Sequence, residues 1–242
     1  MDLNSVLFRF PELDNVFCLF QGIPNMPGVA GKAWGNPGES VILRNELLKL
    51  YGSTGLESFC ACKQVHGTHI VTNPDILKEE APPAEADGLC TDEAGKALLI
   101  KTADCQPILF AERSGKYIMA IHSGWRGNRA NFPFIAVKFF ANRYKLSPGD
   151  IFAVRGPSLC PACAEFINFE NEWGPRFERW YNPATQCVDL WAMTNDQLIE
   201  AGIPREQIYA INICTRENTG KFFSYRKNKN CGRQASMIWK SS

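Results

Sequence analysis

Apolar residues along the chain gather in short runs, and glycine, proline or polar residues separate each run from the next. The central stretch, residues 96–127, contains three runs of strand length, at 97–100, 108–111 and 117–121. A polar break at 102–105 separates the first two runs, and a Ser114-Gly115 turn separates the last two. Short apolar runs bounded by such breaks predict β-strands. Further strands are predicted at 16–20, 59–65, 70–71, 151–155, 208–214, 222–226 and 235–239.

Other segments carry apolar residues at helical spacing. The clearest helix follows Gly127, since Phe132 begins an apolar stripe that continues at i+3, i+4, i+7 and i+8. Asn131 is the predicted N-cap, because Pro133 is tolerated only in the first turn of a helix. Strands and helices that follow one another without a linker predict one α/β domain, residues 1–242, built on mixed β-sheets. The other predicted helices are 39–51, 170–181 and 190–201.

Composition narrows the class of protein. The 242 residues are 45% hydrophobic and 21% charged, which supplies enough apolar material for a sizeable core. A formal net charge of +1 argues against nucleic acid or an acidic membrane surface as a partner. The first residues lack a signal-peptide pattern, and no apolar run approaches the roughly 20 residues that span a bilayer. We therefore expect a cytoplasmic protein whose ten cysteines are reduced.

Histidine and cysteine side chains are the first candidates for metal or catalytic chemistry. His66, Cys105 and His122 each lie beside a break near the end of a predicted strand. Two imidazoles and a thiolate could bind Zn²⁺ and leave a fourth position open for water. The alternative is that the three are separate core residues. His69 follows His66 by three residues and would point to the opposite face of a strand, so we interpret it as a structural or surface residue.

A second cysteine pattern is Cys160-Pro-Ala-Cys163, which can be redox-active or form half of a zinc site. The sequence offers no second pair at similar spacing to complete such a site. Buried packing is therefore favoured for this pair, and also for Cys60 and Cys62 in a predicted strand.

Arginines near predicted turns could form an anion site. Arg126 and Arg129 precede the helix that starts near Asn131, while Arg226 and Arg233 lie around a polar loop. Arginines beside a helix N-terminus suit an anion, and a solvated charged loop is the alternative. The sequence has neither a G-x-G-x-x-G nor a Walker-type loop, so dinucleotide or nucleoside triphosphate binding is not predicted.

Six short motifs follow one another from about Lys63 onward in an order found in one family. They are Lys63-Gln-Val-His66-Gly, Ala86-Asp-Gly-Leu, Thr102-Ala-Asp-Cys105-Gln-Pro, Ile121-His122-Ser-Gly-Trp-Arg-Gly, Gly156-Pro-Ser and Phe222-Phe-Ser-Tyr-Arg226. In this combination the chain resembles the bacterial laccase-domain family, also described as multicopper polyphenol oxidase-like and purine nucleoside phosphorylase-like proteins. The resemblance implies a compact α/β domain in which two packed mixed β-sheets are flanked by helices.

The resemblance also implies a metal site and an activity. The family's zinc ligands fall on His66, Cys105 and His122. Its members are described as phosphorolysing adenosine, inosine or methylthioadenosine and as deaminating adenosine, so a purine nucleoside and phosphate are the implied partners. Other descriptions are copper-dependent polyphenol oxidation and the editing of peptidoglycan precursors. Three histidines are too few for the several centres of a multicopper oxidase, so zinc is favoured over copper.

Further roles follow for residues of the same motifs. Asp104 is predicted to orient a metal ligand or shuttle a proton, with capping of backbone amides as the alternative. Residues 124–127 are predicted to form a wall of the substrate pocket. The predicted catalytic residues are Cys105, His122, His66 and Asp104, and the predicted contacts to nucleoside and phosphate are Arg126, Arg226, Lys63 and Gln64.

Two other functions stay open at the level of sequence. One is a metal-free hydrolase or amidase for a cell-wall precursor, with Cys105 as nucleophile and His122 or His66 as base. The other is a metal-binding protein without catalytic activity. The family's N-terminal T-R-x-G-G segment reads Cys18-Leu-Phe-Gln-Gly22 here, and its Asn-Arg pair is reversed as Arg44-Asn45, so substrate preference can differ.

Overall fold

The computed structural model describes residues 4–25, 28, 30–78 and 83–242. Within these ranges the strands are β1 Val6–Phe8, β2 Val16–Gln21, β3 Ser58–Ala61, β4 Ile70–Thr72, β5 Gly88–Thr91, β6 Lys96–Thr102, β7 Gln106–Glu112, β8 Ile118–Ser123, β9 Ile151–Arg155, β10 Tyr181–Asn182, β11 Cys187–Val188, β12 Ile208–Ala210 and β13 Gln234–Lys240. The helices are α1 Pro37–Tyr51, α2 Trp125–Arg129, α3 Phe132–Tyr144, α4 Phe169–Glu172 and α5 Leu190–Glu200. Short 3₁₀ turns lie at Gly52–Thr54, Pro148–Asp150, Pro161–Cys163, Pro175–Trp180 and Arg205–Gln207.

Two large mixed sheets form the centre of the molecule. The first has the order β1-β2-β13-β6-β3, in which only the β3–β6 pair is parallel. The second has the order β12-β9-β7-β8-β5-β4, with parallel pairs at its two edges and antiparallel pairs between them. Strands β7 and β8 are buried along their whole length, as expected for strands covered on both faces.

The main core lies where the two sheets face each other. Residues of the first sheet in this core include Cys18, Phe20, Cys60, Leu98, Ile100 and Ile238, and residues of the second include Leu89, Leu109, Ala120 and Val154. Cys62 also lies in this core, so the packing role predicted for Cys60 and Cys62 agrees with their positions. Burying these side chains is the main stabilising contribution, at about 1.5–3 kcal/mol for each large one.

Helices cover the outer face of each sheet. Leu43 and Leu47 of α1 pack on the first sheet, against residues such as Leu99, Met237 and Trp239. Phe132 and Phe140 of α3, with Leu198 of α5, pack on the second sheet. The structure is therefore a single α/β domain with mixed sheets, as the sequence pattern predicted, and its two packed sheets flanked by helices are those that the family resemblance implied. None of the helices in the described part of the chain is long and apolar enough to cross a bilayer.

Two predicted elements are wrong. Residues 222–226 form an irregular segment that ends in a turn rather than a strand, because backbone amides bond to side chains: Phe223 N donates to Gln234 Oε1 and Arg226 N donates to Asp104 Oδ2. The helix predicted over 170–181 is interrupted at Gly174, whose φ of +86° is incompatible with helical geometry and which separates α4 from a 3₁₀ turn.

Other elements differ in extent. The strand predicted at 59–65 ends at Ala61, since Lys63 then pairs with the backbone around Glu85 and leads the chain away from the first sheet. The strand predicted at 208–214 ends at Ala210. Asn131 does occupy the N-cap position of α3, but its backbone has φ +60° and its side chain makes no capping hydrogen bond within the described residues.

Candidate functional site

The structure brings the three predicted metal ligands together at the seam between the two sheets. His66 lies in the loop after β3, Cys105 in the turn that carries the chain from β6 into β7, and His122 near the end of β8. One donor atom from each lies within 4.8 Å of the other two, and Cys105 Sγ is 4.0 Å from His66 Nε2. The two imidazole rings meet edge to face, with centroids 4.8 Å apart.

The backbone around these ligands adopts conformations that few residues tolerate. His66 has φ +62° and Asp104, the neighbour of Cys105, has φ +85°. Non-glycine residues at positive φ are uncommon, and they persist where the surrounding structure imposes them, often at functional sites. Gly124 provides the space in which the ligands meet, since a Cβ at this position would lie 2.8 Å from Cys105 Sγ and 3.2 Å from His66 Cδ2.

A buried carboxylate, which the sequence reasoning did not assign to the site, supports two of the ligands. Asp87 is fully buried and its Oδ1 accepts a hydrogen bond from His122 Nδ1 at 2.8 Å. It also accepts backbone hydrogen bonds from His66 and Gly67 at 3.0 and 2.6 Å. The hydrogen bond from His122 Nδ1 directs His122 Nε2 away from the carboxylate. The two backbone hydrogen bonds hold the loop that carries His66. Asp87 belongs to the Ala86-Asp-Gly-Leu motif, which by its sequence alone indicates no role for this carboxylate.

Charge in the site favours a thiolate beside an imidazolium when no metal is bound. Burial raises the pKa of the Cys105 thiol, but the charge and hydrogen bonds of His122 and His66 outweigh it and lower that pKa to about 6. Burial opposes protonation of His122, yet Cys105 and Asp87 together raise its pKa to about 9. Burial likewise opposes ionisation of Asp87, and hydrogen bonds from His122, Gly67 and Val65 nevertheless lower its pKa. The three side chains therefore carry alternating charge.

Asp104 lies beside Cys105, but its carboxylate serves the surrounding loops. Its Oδ1 accepts a hydrogen bond from Thr215 Oγ1 at 2.6 Å, and its Oδ2 accepts one from the backbone N–H of Arg226 at 2.6 Å. The backbone carbonyl of Asp104 accepts a bond from Leu159 N at 2.9 Å. These contacts correspond to the capping alternative that the sequence left open for this residue.

The predicted substrate contacts occupy different positions. The Gln64 side chain bonds both backbone groups of Lys101, at 2.7 and 2.9 Å, and so acts on the scaffold. Lys63 Nζ forms an exposed ion pair with Glu85 at 2.8 Å. The Arg226 guanidinium donates to the carbonyl of Glu165 at 2.6 Å. Arg126 lies over the ring of Trp125, 4.4 Å from its centroid, and no described carboxylate comes within ion-pair distance of it.

A cationic cavity opens on one side of the three ligands. Its volume is about 530 Å³ and its lining includes His66, Cys105 and His122. Burial lowers the pKa of Lys101, and the nearby charge of Arg233 lowers it further, which indicates two cations held close together. A cavity with several cations suits a multiply charged anion. The basic residues that line it are Lys63, Lys101, Arg126 and Arg233.

A smaller and more apolar cavity lies on the other side, with a volume of about 220 Å³. It shares His66, Cys105, Arg126 and Tyr225 with the cationic cavity. Apolar and polar side chains together with Gly124 form the rest of its wall, and the aromatic rings among them suit a planar ring. The apolar side chains are Trp125, Leu159, Phe166 and Leu190, and the polar ones are Asp104, Gln106, Ser123 and Arg226. A larger cavity of about 810 Å³ lies along residues 167–183 and contains neither thiol nor imidazole in its lining.

The three donors fit a single metal ion. Two imidazoles and one thiolate match the ligands that zinc takes in catalytic sites, where a fourth position stays open. A multicopper centre requires more imidazoles, and the remaining histidine, His69, is exposed and is not among the donors that meet here. The donor set therefore fits one ion with an open position better than a group of copper ions.

Comparison with known proteins gives related sequences and folds. The family model described as multi-copper polyphenol oxidoreductase laccase matches residues 31–241. The chain is 32% identical over 198 residues to a Geobacillus stearothermophilus protein named purine nucleoside phosphorylase YlmD, covering 76% of this chain and 72% of that one. It is 31% identical over 188 residues to Escherichia coli purine nucleoside phosphorylase YfiH, covering 73% of this chain and 72% of that one.

Two solved structures share the fold. The crystal structure of YlmD from Geobacillus stearothermophilus superposes with a TM-score of 0.79 at 24% identity, covering 96% of this chain and 94% of that one. A Neisseria meningitidis protein superposes with a TM-score of 0.81 at 23% identity, covering 99% of this chain and all of that one.

Proposed function

The chain belongs to the multi-copper polyphenol oxidoreductase laccase family, and on this premise we propose that it is a purine nucleoside phosphorylase that also deaminates adenosine. The proposed substrates are adenosine, inosine and methylthioadenosine, with phosphate as the second reactant and one Zn²⁺ as the metal. The phosphorylase part is supported by the names of the matched relatives from Geobacillus stearothermophilus and Escherichia coli.

The observation that carries the proposal is the position of the metal ligands between two unlike cavities. The cationic cavity suits a phosphate dianion and the apolar cavity suits a purine ring. A nucleoside bound with its base in the apolar cavity places its ribose at His66 and Cys105, which line both cavities. Phosphate and the sugar carbon would then meet at that boundary, as a bimolecular reaction requires.

Phosphorolysis needs few chemical groups beyond correct positioning. The C1′–N9 bond of the nucleoside breaks, a C1′–O bond to phosphate forms, and the proton of hydrogen phosphate ends on the purine. Arg126, Lys101 and Arg233 bind and orient the phosphate, while Trp125 and Phe166 contact the base. Arg226, which lines the apolar cavity and not the cationic one, stabilises negative charge that develops on the departing purine.

Deamination of adenosine would need a second binding orientation, in which C6 of the base rather than the ribose faces His66, Cys105 and His122 and water takes the place of phosphate. A C6–O bond would form, the C6–N bond to the amino group would break, and the amino group would leave as ammonia. Zinc held by His66, Cys105 and His122 would lower the pKa of a bound water and so supply hydroxide at neutral pH. Asp87 fixes the tautomer of His122, and Gly124 leaves room for the ligands to converge. The rings of Trp125 and Phe166 exclude bulk water from one side of the base.

Incubation of zinc-loaded protein with adenosine and phosphate tests this function. Chromatography is expected to show adenine with ribose 1-phosphate, and inosine in parallel. His66→Ala is expected to abolish the formation of inosine, which needs the metal. His69→Ala, which removes another exposed imidazole, is the matched control that should retain it. The proposal would be refuted if protein that contains stoichiometric zinc released no free purine from any of the three nucleosides and formed no inosine from adenosine.

A metal-free cysteine hydrolase is the second candidate, because Cys105, His122 and Asp87 form a hydrogen-bonded thiolate–imidazolium–carboxylate series. Its substrate would be an amide in a cell-wall precursor. The two candidates differ in their response to metal. A hydrolase that uses Cys105 as nucleophile is fully active after chelation and is inhibited by added Zn²⁺, whereas the nucleoside enzyme loses deamination on chelation and recovers it on zinc addition.

A further inference from the structure

A second group of metal-ligand side chains lies apart from the site described above. The turn Cys160-Pro-Ala-Cys163 meets Cys214, which lies 54 residues after Cys160, and Glu217, which lies 54 residues after Cys163. Their three sulfur atoms and one carboxylate oxygen all lie within 4.8 Å of one another, and Cys163 Sγ is 3.8 Å from Glu217 Oε1. The sequence favoured simple packing for the Cys160–Cys163 pair because no second pair was visible, and the fold supplies the other half.

The two halves have the same local design. In each, the two ligands are three residues apart on a tight turn: the first holds Cys160 and Cys163 around a 3₁₀ segment, and the second holds Cys214 and Glu217. Backbone N–H groups point at the Cys214 sulfur: that of Cys160 at 3.4 Å, and those of Arg216 and Glu217 from its own turn. Such N–H···S bonds favour a thiolate, which is the form that binds metal.

The dimensions of the group fit a tetrahedral zinc ion. With Zn–S bonds of about 2.3 Å, neighbouring ligand atoms lie about 3.8 Å apart, so the side chains need to move by about an ångström at most. Cys163 and Cys214 are buried, Cys160 is partly exposed and Glu217 lies at the surface. The group is therefore closed on the protein side and reachable from solvent on one side. The exposed Arg216 side chain contacts Cys163 and offsets part of the negative charge.

We propose that Cys160, Cys163, Cys214 and Glu217 form a structural Zn²⁺ site, separate from the site at His66, Cys105 and His122. Zinc binding displaces the thiol protons into solvent and involves no change of oxidation state. A disulfide would account for only two of these residues, since an S–S bond of about 2.05 Å draws two sulfurs out of the group and leaves the third thiol and the carboxylate without a role.

The site would stabilise one wall of the apolar cavity. It joins segment 158–166, which contains Leu159 and Phe166, to the segment that contains Cys214 and Thr215. Both segments bond Asp104, through Leu159 N and Thr215 Oγ1. Loss of this zinc is thus expected to loosen the cavity wall without removing any ligand of the first site.

Metal content measured on several variants tests the proposal. Protein purified with a reductant and without a chelating tag is expected to contain about two zinc ions per chain. His122→Ala and Cys163→Ser should each reduce this to about one, because each removes a ligand of a different site. Glu217→Ala removes an exposed ligand without disturbing the core. The zinc ion of its structural site should pass to a competing chelator at a lower chelator concentration than the same ion in the wild type. Glu206→Ala, another exposed glutamate, is the control and should behave as the wild type.

A thiol measurement keeps the test decisive if Cys163→Ser fails to fold. In wild-type protein, Cys160, Cys163 and Cys214 should resist alkylation and become reactive when a chelator is added, as detected by mass spectrometry of peptides. Cobalt substitution should give sulfur-to-metal absorption dominated by the three-thiolate site and largely retained in Cys105→Ala. The proposal is overturned if the wild-type chain contains one zinc ion and this ion is lost in His122→Ala. It is also overturned if the three thiols are alkylated at rates that do not depend on the chelator, or if two of them form a disulfide during purification under reducing conditions.

Discussion

Replacement of Asp87 by asparagine tests whether this buried carboxylate supports the candidate site. The Asp87 Oδ1 atom accepts bonds from His66 N and His122 Nδ1, and Oδ2 accepts bonds from Val65 N and Gly67 N. Asparagine has the same shape but only one accepting oxygen. In either orientation of the amide, two N–H donors therefore face an NH₂ group.

The size of the effect follows from these contacts. A hydrogen bond to a charged group contributes about 1.5–3 kcal/mol, so loss of two predicts a decrease of about 3–6 kcal/mol in the free energy of unfolding. That is a large part of the about 5–15 kcal/mol typical of a folded domain. His122 could keep one bond by accepting at Nδ1, but its proton would then occupy Nε2, the nitrogen left for a metal. Metal affinity is accordingly expected to fall by about 10- to 100-fold.

Two assays separate these effects. Urea denaturation of metal-free protein at pH 7 gives the free energy of unfolding by linear extrapolation, without any contribution from bound metal. Competition with a chelator of known affinity gives zinc affinity. Asp92→Asn, a substitution of an exposed aspartate, is the control and should change stability by no more than about 0.5 kcal/mol. An Asp87→Asn protein within about 1 kcal/mol of wild type and with unchanged zinc affinity would refute the reasoning.

The stability difference should also depend on pH. The pKa of Asp87 is lower in the folded protein than the unfolded value of about 3.9. Its carboxylate therefore stabilises the folded state fully above that unfolded value, and the stabilisation is lost as pH falls through the folded pKa. The gap in unfolding free energy between wild type and Asp87→Asn should therefore shrink below about pH 4. It should also shrink as pH rises towards 9, because Asp87 helps to raise the pKa of His122 to about 9 and this part of the stabilisation is lost when His122 loses its proton.

Three further predictions concern the same pocket. Gly124→Ala should weaken zinc binding and lower turnover, since its Cβ would lie 2.8 Å from Cys105 Sγ; equal zinc content and activity in the variant would contradict this. In metal-free protein, alkylation of Cys105 should reach half its maximal rate near pH 6, where the pKa of its thiol lies, whereas an unperturbed thiol would do so at about pH 8.5. A midpoint above pH 8 would contradict the pairing of a Cys105 thiolate with a His122 imidazolium. Arg126→Ala should raise the KM for phosphate roughly 10- to 100-fold, the equivalent of about 1.5–3 kcal/mol, whereas Arg129→Ala should not; equal KM values would remove Arg126 from the phosphate site.

The spacing of apolar residues predicted the strands and helices whose backbone hydrogen bonds are made within the sheet or within the helix itself. The three runs of the central stretch became β6, β7 and β8, and the apolar stripe after Asn131 became α3. The segment 222–226 has an equally apolar and aromatic composition, yet it is not a strand because Gln234 and Asp104 bond its amides. Gln234 lies 11 residues from Phe223 and Asp104 lies 122 residues from Arg226, so the periodicity of residues 222–226 carries no information about either partner.

The same distinction applies to the site residues. His66, Cys105 and His122 were predicted because each belongs to a motif with a recognisable order, and spacing alone had left them as separate core residues. Asp87 was not assigned because its role depends on how β5 lies against β8, where His122 N also donates to the Asp87 carbonyl. Cys214 carries no local signal at all, since only the tertiary fold places it beside Cys160.

The order of strands in the first sheet bears on how the protein is made in the cell. β13 lies between β2 and β6, although residues 234–240 are synthesised after every other described element. Until they emerge from the ribosome, β2 and β6 each present an unpaired edge, and the strand edge beside the Cys105 turn has no neighbour. Nascent chains are therefore expected to need protection from edge-to-edge association until residues 234–240 have been synthesised, and the turn that carries Cys105 should reach its final position only after β13 has paired with β6.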